Sequence, residues 1–212
     1  MTTIPFVKVC GLTDPAEAVA CAKLGIWAIG VVFASESARC VDVDQARAVC
    51  KALPSRVRRV GVFVDPDPAT VAHAVAVAGL TDVQLHGRNV DVEAVRIAAR
   101  VRVFQGFSVA DDTDIAAAKV SRADLVFLDA SVAGRHGGTG RRFDWTLLEA
   151  TPLQRPFVLA GGLDPDNVAE GVRRVRPWAV DVSSGVESSP GHKDLERVTA
   201  FVHAVQDMVE VA

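Results

Sequence analysis

Short apolar runs rich in Val, Ile and Phe alternate along the chain with alanine-rich segments whose apolar residues recur at helical spacing. Brief continuous apolar runs are typical of strands that are buried on both faces, and the helical spacing is typical of amphipathic helices. Regular alternation of the two predicts βα units and a parallel sheet. The apolar runs predict eight strands, over residues 6–10, 27–33, 58–64, 82–86, 101–107, 124–129, 156–161 and 178–183.

A predicted helix follows each of these strands, which is the arrangement of an α/β protein. Three Asp-Pro pairs, at 14–15, 67–68 and 164–165, predict helix starts, because aspartate caps a helix and proline is accepted at its first position. The predicted helices cover residues 14–23, 43–53, 68–78, 90–100, 111–119, 144–150, 165–175 and 193–209.

Eight βα repeats in 212 residues predict a single-domain (β/α)8 TIM barrel over residues 1–212, close to the lower limit of about 200 residues for that fold. A doubly wound sheet is the alternative architecture. It is typically accompanied by an early G-x-G-x-x-G loop, and the sequence has none there.

Charge and hydropathy argue against several classes of binding partner. The net charge is −3, the pI is near 5.9, and Lys and Arg are scattered, so no basic stripe indicates binding to nucleic acid or a membrane. The N-terminus lacks a signal-type pattern, and the longest apolar runs are too short for a bilayer. We therefore expect a cytoplasmic protein whose partner is a small molecule. For the oligomeric state, both a monomer and a homodimer remain possible.

The four cysteines, Cys10, Cys21, Cys40 and Cys50, contain no C-x-x-C pair. This pattern fits neither a zinc site nor a secreted disulfide framework. We expect reduced thiols and no metal.

Polar residues at the ends of the predicted strands are the candidate site, because TIM barrels carry their catalytic groups at the carboxyl ends of the strands. Cys10 ends the first strand and Asp129 the sixth. If both point into the mouth, a thiolate and a carboxylic acid are available as base and acid. Gln84 and His86 share one face at the end of the fourth strand, and Asp181 lies near the end of the eighth.

Two loops carry small residues and donors suited to phosphate. Gly161 and Gly162 follow the seventh strand, and Ser183, Ser184 and Gly185 follow the eighth. Barrels of this kind often bind phosphate with these two loops. The alternative is that the glycines only permit a tight turn and the serines cap a helix.

The connection over residues 130–145 is long and rich in glycine, with Gly137, Gly138 and Gly140. Long loops in a compact domain are usually functional. We interpret this one as a lid over the substrate, with an ordinary surface loop as the alternative.

Seven phrases of the sequence resemble the phosphoribosylanthranilate isomerase family and occur in that family's order across nearly the whole chain. They are KVCGLTDP, VGVFVD, VQLHG, FLDA, GGTGRRFDW, LAGGLDPDNV and DVSSGVESSPGHKD. The resemblance implies an aldose–ketose isomerase of tryptophan biosynthesis. Its reaction is an Amadori rearrangement of N-(5-phosphoribosyl)anthranilate to 1-(2-carboxyphenylamino)-1-deoxyribulose 5-phosphate.

The resemblance also implies roles for individual residues. Cys10 matches the general base, Asp129 the general acid, and Arg39 the arginine that holds the anthranilate carboxylate, whereas His86 and Asp181 match pocket positions. The loop around Arg39 departs from the family, which usually has Ser-Pro-Arg-Tyr where this chain has residues 37–40, Ser-Ala-Arg-Cys. The departure predicts a more flexible loop without an aromatic wall.

The implied chemistry suits these residues. Asp129, when protonated, can give its proton to the ring oxygen as the C1 imine forms, and Cys10, as thiolate, can then remove the C2 proton. Oxidation at C2 balances reduction at C1, so no nicotinamide or metal is required. The thiol must be ionised by its surroundings or by substrate binding, because its ordinary pKa is about 8.5.

Three alternatives stay open. Lys8 shares the face of Cys10 and could form a Schiff base, as in an aldolase. If the protein is the isomerase, we expect Lys8 to pair with a carboxylate instead. The chain could also be a non-catalytic phosphate-binding barrel, or a paralogue that acts on another aminosugar phosphate, which the altered Arg39 loop would favour.

Overall fold

The computed structural model describes residues 5–129, 145–150 and 152–209. Eight parallel strands pair in sequence order, and β1 also pairs with β8, so the sheet closes into a barrel. This confirms the TIM barrel and excludes the doubly wound sheet; that residues 1–212 form one domain stays a prediction. The strands are β1 Phe6–Cys10, β2 Ala28–Val32, β3 Arg58–Val64, β4 Asp82–His86, β5 Arg102–Ser108, β6 Leu125–Asp129, β7 Phe157–Ala160 and β8 Ala179–Val182.

A helix follows each strand, as the sequence predicts, with some shifted ends. Within the described residues, no helix is both long and apolar enough to cross a membrane. The helices are α1 Pro15–Lys23, α2 Val43–Ala52, α3 Pro68–Ala78, α4 Val92–Ala99, α5 Asp112–Val120, α6 Thr146–Ala150, α7 Val168–Val175 and α8 Leu195–Gln206.

Two of the three Asp-Pro pairs begin helices as predicted. Asp14 and Asp67 each accept hydrogen bonds from two backbone amides in the first turns of α1 and α3. The third prediction is wrong, because α7 begins at Val168. Asp164 instead accepts from the amides of Asp166 and Asn167 in a turn that precedes the helix.

The predicted helix over residues 193–209 is also wrong at its start. A two-stranded hairpin, β9 Glu187–Ser189 and β10 His192–Lys193, stands between β8 and α8. Pro190 and Gly191, the latter at φ +86°, form the turn between its strands. A short 3-10 turn, Ser184–Val186, leads into the hairpin.

The alternation of side chains along the strands separates two apolar regions. Outward-facing residues pack against the helices, and inward-facing residues such as Val60, Phe104 and Phe127 fill the barrel. At the amino-terminal end, the rings of Trp27 and Trp178 meet edge to face with centroids 4.9 Å apart. Aromatic packing therefore helps to close that end, where the inward-facing Asp82 is also buried. Other inward polar residues, among them Gln84 and Asp181, lie nearer the carboxyl ends of the strands.

Candidate active site

A buried ion pair forms the floor of the barrel mouth. The Lys8 ammonium lies 3.0 Å from each carboxylate oxygen of Asp181, across the β1–β8 pairing, and the lysine is fully buried. Burial alone would lower the pKa of Lys8, but Asp181 and Cys10 raise it above its ordinary value. Lys8 therefore stays an ammonium, and the expected pairing with a carboxylate is confirmed.

Cys10 lies one inner position above Lys8 on β1, in space that Gly30 of β2 leaves open. A methyl carbon on Gly30 would lie 2.6 Å from Cys10 Sγ and 3.1 Å from Lys8 Nζ. Burial raises the pKa of the Cys10 thiol, and the Lys8 ammonium opposes that rise. The surroundings alone therefore do not ionise the thiol in the ligand-free protein.

Gln84 and His86 share the inner face of β4, as predicted. Gln84 Nε2 lies 2.8 Å from His86 Nε2, and the buried Gln84 Oε1 has no hydrogen-bond partner among the described residues. The His86 ring covers Gly106 of β5, where a methyl carbon would come within 2.2 Å of the ring. An unsatisfied buried carbonyl oxygen at this position marks a place where a ligand donor would be stabilised.

Asp129 ends β6 and is half-buried at the same mouth. Phe127, the inner residue below it, has its ring centroid 5.3 Å from Lys8 Nζ, so β1 and β6 face each other across the barrel. Burial lowers the pKa of His86, and the Asp129 carboxylate opposes that change. Cys10, His86 and Asp129 therefore surround one space above the Lys8–Asp181 pair.

Arg39 lies beside this space, across Gly11 at the end of β1. Gly11 has φ +79°, which favours glycine, and a methyl carbon there would lie 2.5 Å from Arg39 Cδ and 3.1 Å from Ser183 Oγ, so a larger residue would also displace the arginine. The guanidinium pairs with Glu187, with Nε 2.8 Å from Oε1 and Nη2 2.5 Å from Oε2. Arg39 is at the mouth as predicted, but one side of its guanidinium is already occupied.

The hairpin brings to Arg39 two residues that were not predicted from the sequence, Glu187 and Lys193. Both side chains are almost fully buried, and Lys193 Nζ donates to Glu187 Oε1 at 2.6 Å. The turn signal Ser-Pro-Gly between two oppositely charged residues could have indicated a hairpin. We call Arg39, Glu187 and Lys193 the hairpin cluster.

The predicted phosphate-binding loops lie next to each other. Gly161 and Gly162 both have positive φ, as a tight turn requires, and a methyl carbon on Gly185 would lie 1.9 Å from the Leu163 carbonyl oxygen. Ser183 does not cap a helix, because its hydroxyl donates to the Cys10 carbonyl at 3.1 Å. That these loops and Ser184 bind phosphate stays a prediction.

The predicted lid, with Gly137, Gly138 and Gly140, lies in residues 130–144, outside the described residues. The four cysteines are free thiols, as expected. Cys40, next to Arg39, is exposed, whereas Cys21 and Cys50 are buried.

Comparison with known proteins identifies the family. A family model described as N-(5'-phosphoribosyl)anthranilate (PRA) isomerase matches residues 7–204. The N-(5'-phosphoribosyl)anthranilate isomerase of Pseudomonas aeruginosa is 44% identical over 204 residues, 94% of each chain. The crystal structure of phosphoribosyl anthranilate isomerase from Thermotoga maritima has a TM-score of 0.89 at 36% identity and covers 96% of this chain and 99% of its own. A crystal structure of such an isomerase with reduced 1-(o-carboxyphenylamino)-1-deoxyribulose 5-phosphate has a TM-score of 0.85 at 35% identity, with the same coverage. The chain therefore belongs to the N-(5'-phosphoribosyl)anthranilate isomerase family.

Proposed function

We propose that this chain catalyses the Amadori rearrangement of N-(5-phosphoribosyl)anthranilate in tryptophan biosynthesis, with Asp129 as general acid and Cys10 as general base. The observation that carries the proposal is that Cys10 and Asp129 end β1 and β6 at one mouth, above a buried Lys8–Asp181 pair. An acid and a base on different walls can act on neighbouring atoms of one bound sugar.

Ring opening is the first step. The anthranilate nitrogen forms a C1 imine while the bond between C1 and the ring oxygen breaks, and protonated Asp129 gives its proton to that oxygen. His86 lies close to Asp129, and burial lowers its pKa, so its imidazole is neutral. A neutral ring can hydrogen-bond the substrate without adding a positive charge beside the iminium.

Proton transfer from C2 is the second step. The Cys10 thiolate takes the C2 proton, and the electron pair moves through C1 to the iminium nitrogen, which gives an enolamine that tautomerises to the C2 ketone. The Lys8 ammonium lies below Cys10 and favours the thiolate. Because burial raises the pKa of the free thiol, we propose that ionisation of Cys10 accompanies substrate binding.

The rest of the proposed site holds the substrate. Arg39 binds the anthranilate carboxylate through its guanidinium, and Gln84 and Asp181 with His86 orient the ribose and its hydroxyls. Gly161, Gly162, Ser183, Ser184 and Gly185 bind the phosphate through backbone amides and hydroxyls. The reaction as balanced above uses no cofactor or metal.

Two features disfavour the alternatives. An aldolase lysine must be an uncharged amine to attack a carbonyl, and Lys8 is held as an ammonium by Asp181. A barrel that only binds its ligand does not require an acid and a base on different walls, and Cys10 and Asp129 are both present at this mouth. We further propose that the enzyme acts in the cytoplasm on a phosphosugar, with no nucleic acid or membrane partner, as a monomer or homodimer.

The test is turnover of freshly prepared phosphoribosylanthranilate, followed by the loss of its fluorescence, with the product identified by mass spectrometry. We expect a product isomeric with the substrate, and no mass increase on Lys8 after borohydride reduction with a keto-sugar phosphate. Absence of turnover would overturn the isomerase proposal, and a reduced adduct on Lys8 would support the aldolase.

A further inference from the structure

The hairpin cluster is built around one side of the Arg39 guanidinium. An arginine presents two forks to carboxylates, one from Nε and Nη2 and one from Nη1 and Nη2. Glu187 occupies the first fork with both of its oxygens. Nη1 has no hydrogen-bond partner among the described residues, so the second fork remains for another carboxylate.

Glu187 is itself held in place. Lys193 Nζ lies 2.6 Å from Oε1, and the Gly191 amide lies 3.4 Å from the same oxygen. Lys193 also donates to the Ser183 carbonyl at 3.3 Å, which joins the cluster to the end of β8. Burial alone would raise the pKa of Glu187, but hydrogen bonds from Arg39 and Lys193 lower it below its ordinary value.

The hairpin is anchored to α1 from the other side. Glu17 accepts from the Lys193 amide at 3.0 Å, and Thr13 Oγ1 donates to the Gly191 carbonyl at 2.8 Å. Glu187 therefore sits on a fixed support, whereas Arg39 comes from a loop that lacks the family's proline. The bidentate pair with Glu187 therefore joins the Arg39 guanidinium to that support.

We propose that Glu187 is a positioning residue that sets the affinity for the anthranilate carboxylate by holding Arg39 with one fork turned to the substrate. The hairpin cluster contains two cations and one anion. A substrate carboxylate on the second fork balances the remaining positive charge. This inference rests on the proposed function, because it assigns the carboxylate of that substrate to Arg39.

The test compares two substrates and two variants. Glu187→Gln keeps the shape of the side chain and removes its charge. We expect it to raise KM for phosphoribosylanthranilate about tenfold, as expected for loss of a charged hydrogen-bond pair, with kcat little changed. The analogue with aniline in place of anthranilate has no carboxylate, so its kcat/KM should not change.

Two controls separate positioning from general structural damage. In an Arg39→Ala background, Glu187→Gln should cause no further rise in KM, because its target is gone. Glu149→Gln removes a similar bidentate Glu–Arg pair, to Arg174 on the outer surface, and should change neither kinetic constant.

Two other kinetic outcomes would overturn the proposal. An equal loss on both substrates would make Glu187 merely structural, and a lower KM would make it a competitor for Arg39. If the native protein turns over neither substrate, the proposed function fails separately. The inference is then tested by calorimetric binding of reduced 1-(o-carboxyphenylamino)-1-deoxyribulose 5-phosphate, and equal affinity in native protein and Glu187→Gln would overturn it.

Discussion

The substitution Gly30→Ala tests whether the position of Cys10 controls the rate. The added methyl carbon would lie 2.6 Å from Cys10 Sγ and 3.2 Å from the Cys10 Cα, whereas non-bonded heavy atoms are in ordinary contact at about 3.5 to 4.0 Å. The sulfur must therefore move by roughly 1 Å, which is enough to lower kcat about 100-fold. Overpacking should also reduce the free energy of unfolding by about 1 to 3 kcal/mol.

Gly61→Ala is the matched control. Its methyl carbon would lie 2.6 Å from Leu80 Cδ1 and 2.8 Å from Phe63 Cε2, on the outer face of the barrel. We expect a similar loss of stability in urea unfolding but an unchanged kcat. A Gly30→Ala enzyme with native kcat, or an equal loss of kcat in both variants, would refute the argument that Gly30 sets the position of the thiol.

Three further predictions concern other groups. Burial lowers the pKa of His86 in the folded state, so below pH about 6.5 the unfolded protein binds more protons than the folded one. Between pH 7.5 and 5.5 the native protein should therefore lose about 1 kcal/mol of unfolding free energy relative to His86→Gln. Parallel curves of unfolding free energy against pH for the two proteins would contradict this. Asp82 is fully buried at the amino end of β4 with two arginines, so Asp82→Asn should lower the unfolding free energy by about 2 kcal/mol and leave KM unchanged, whereas a changed KM would refute its purely structural role. After treatment with iodoacetamide at pH 8, peptide mass spectrometry should find that the exposed Cys40 is labelled before Cys21 and Cys50, because burial raises the pKa of those two thiols to about 11. Equal labelling of the three cysteines would contradict that burial.

The barrel and its mouth were predictable because both depend on local patterns. Buried parallel strands have continuous apolar runs, and a polar residue that ends such a run lies at the mouth once the barrel closes. Cys10, His86 and Asp129 were found in this way. The pairing of Lys8 with a carboxylate was expected only if the protein is the isomerase, and the alternative of a Schiff-base lysine had stayed open. The pair with Asp181 meets the general requirement that a buried ammonium be compensated.

The hairpin cluster was missed for an equally physical reason. The two strands between Glu187 and Lys193 have three and two residues, and the side chains that they bury against each other are charged. The segment therefore lacks the alternation of apolar and polar residues that predicts a strand. The predicted start of α7 was wrong because Asp164 forms a local turn before the helix begins at Val168. The role of Gly30 and Gly106 in making room for Cys10 and His86 was also not predicted. A glycine in a strand sequence does not reveal which neighbouring side chain occupies the space beside it.

The central claim is that Cys10 and Asp129 are the base and acid of the isomerase. The most direct measurement is the loss of phosphoribosylanthranilate fluorescence with native protein, Cys10→Ala and Asp129→Asn, together with binding of the reduced product analogue to each. We predict turnover by the native protein only, with the analogue bound by all three. Native-like turnover in either variant, or no turnover by a folded native protein that binds the analogue, would contradict the assignment.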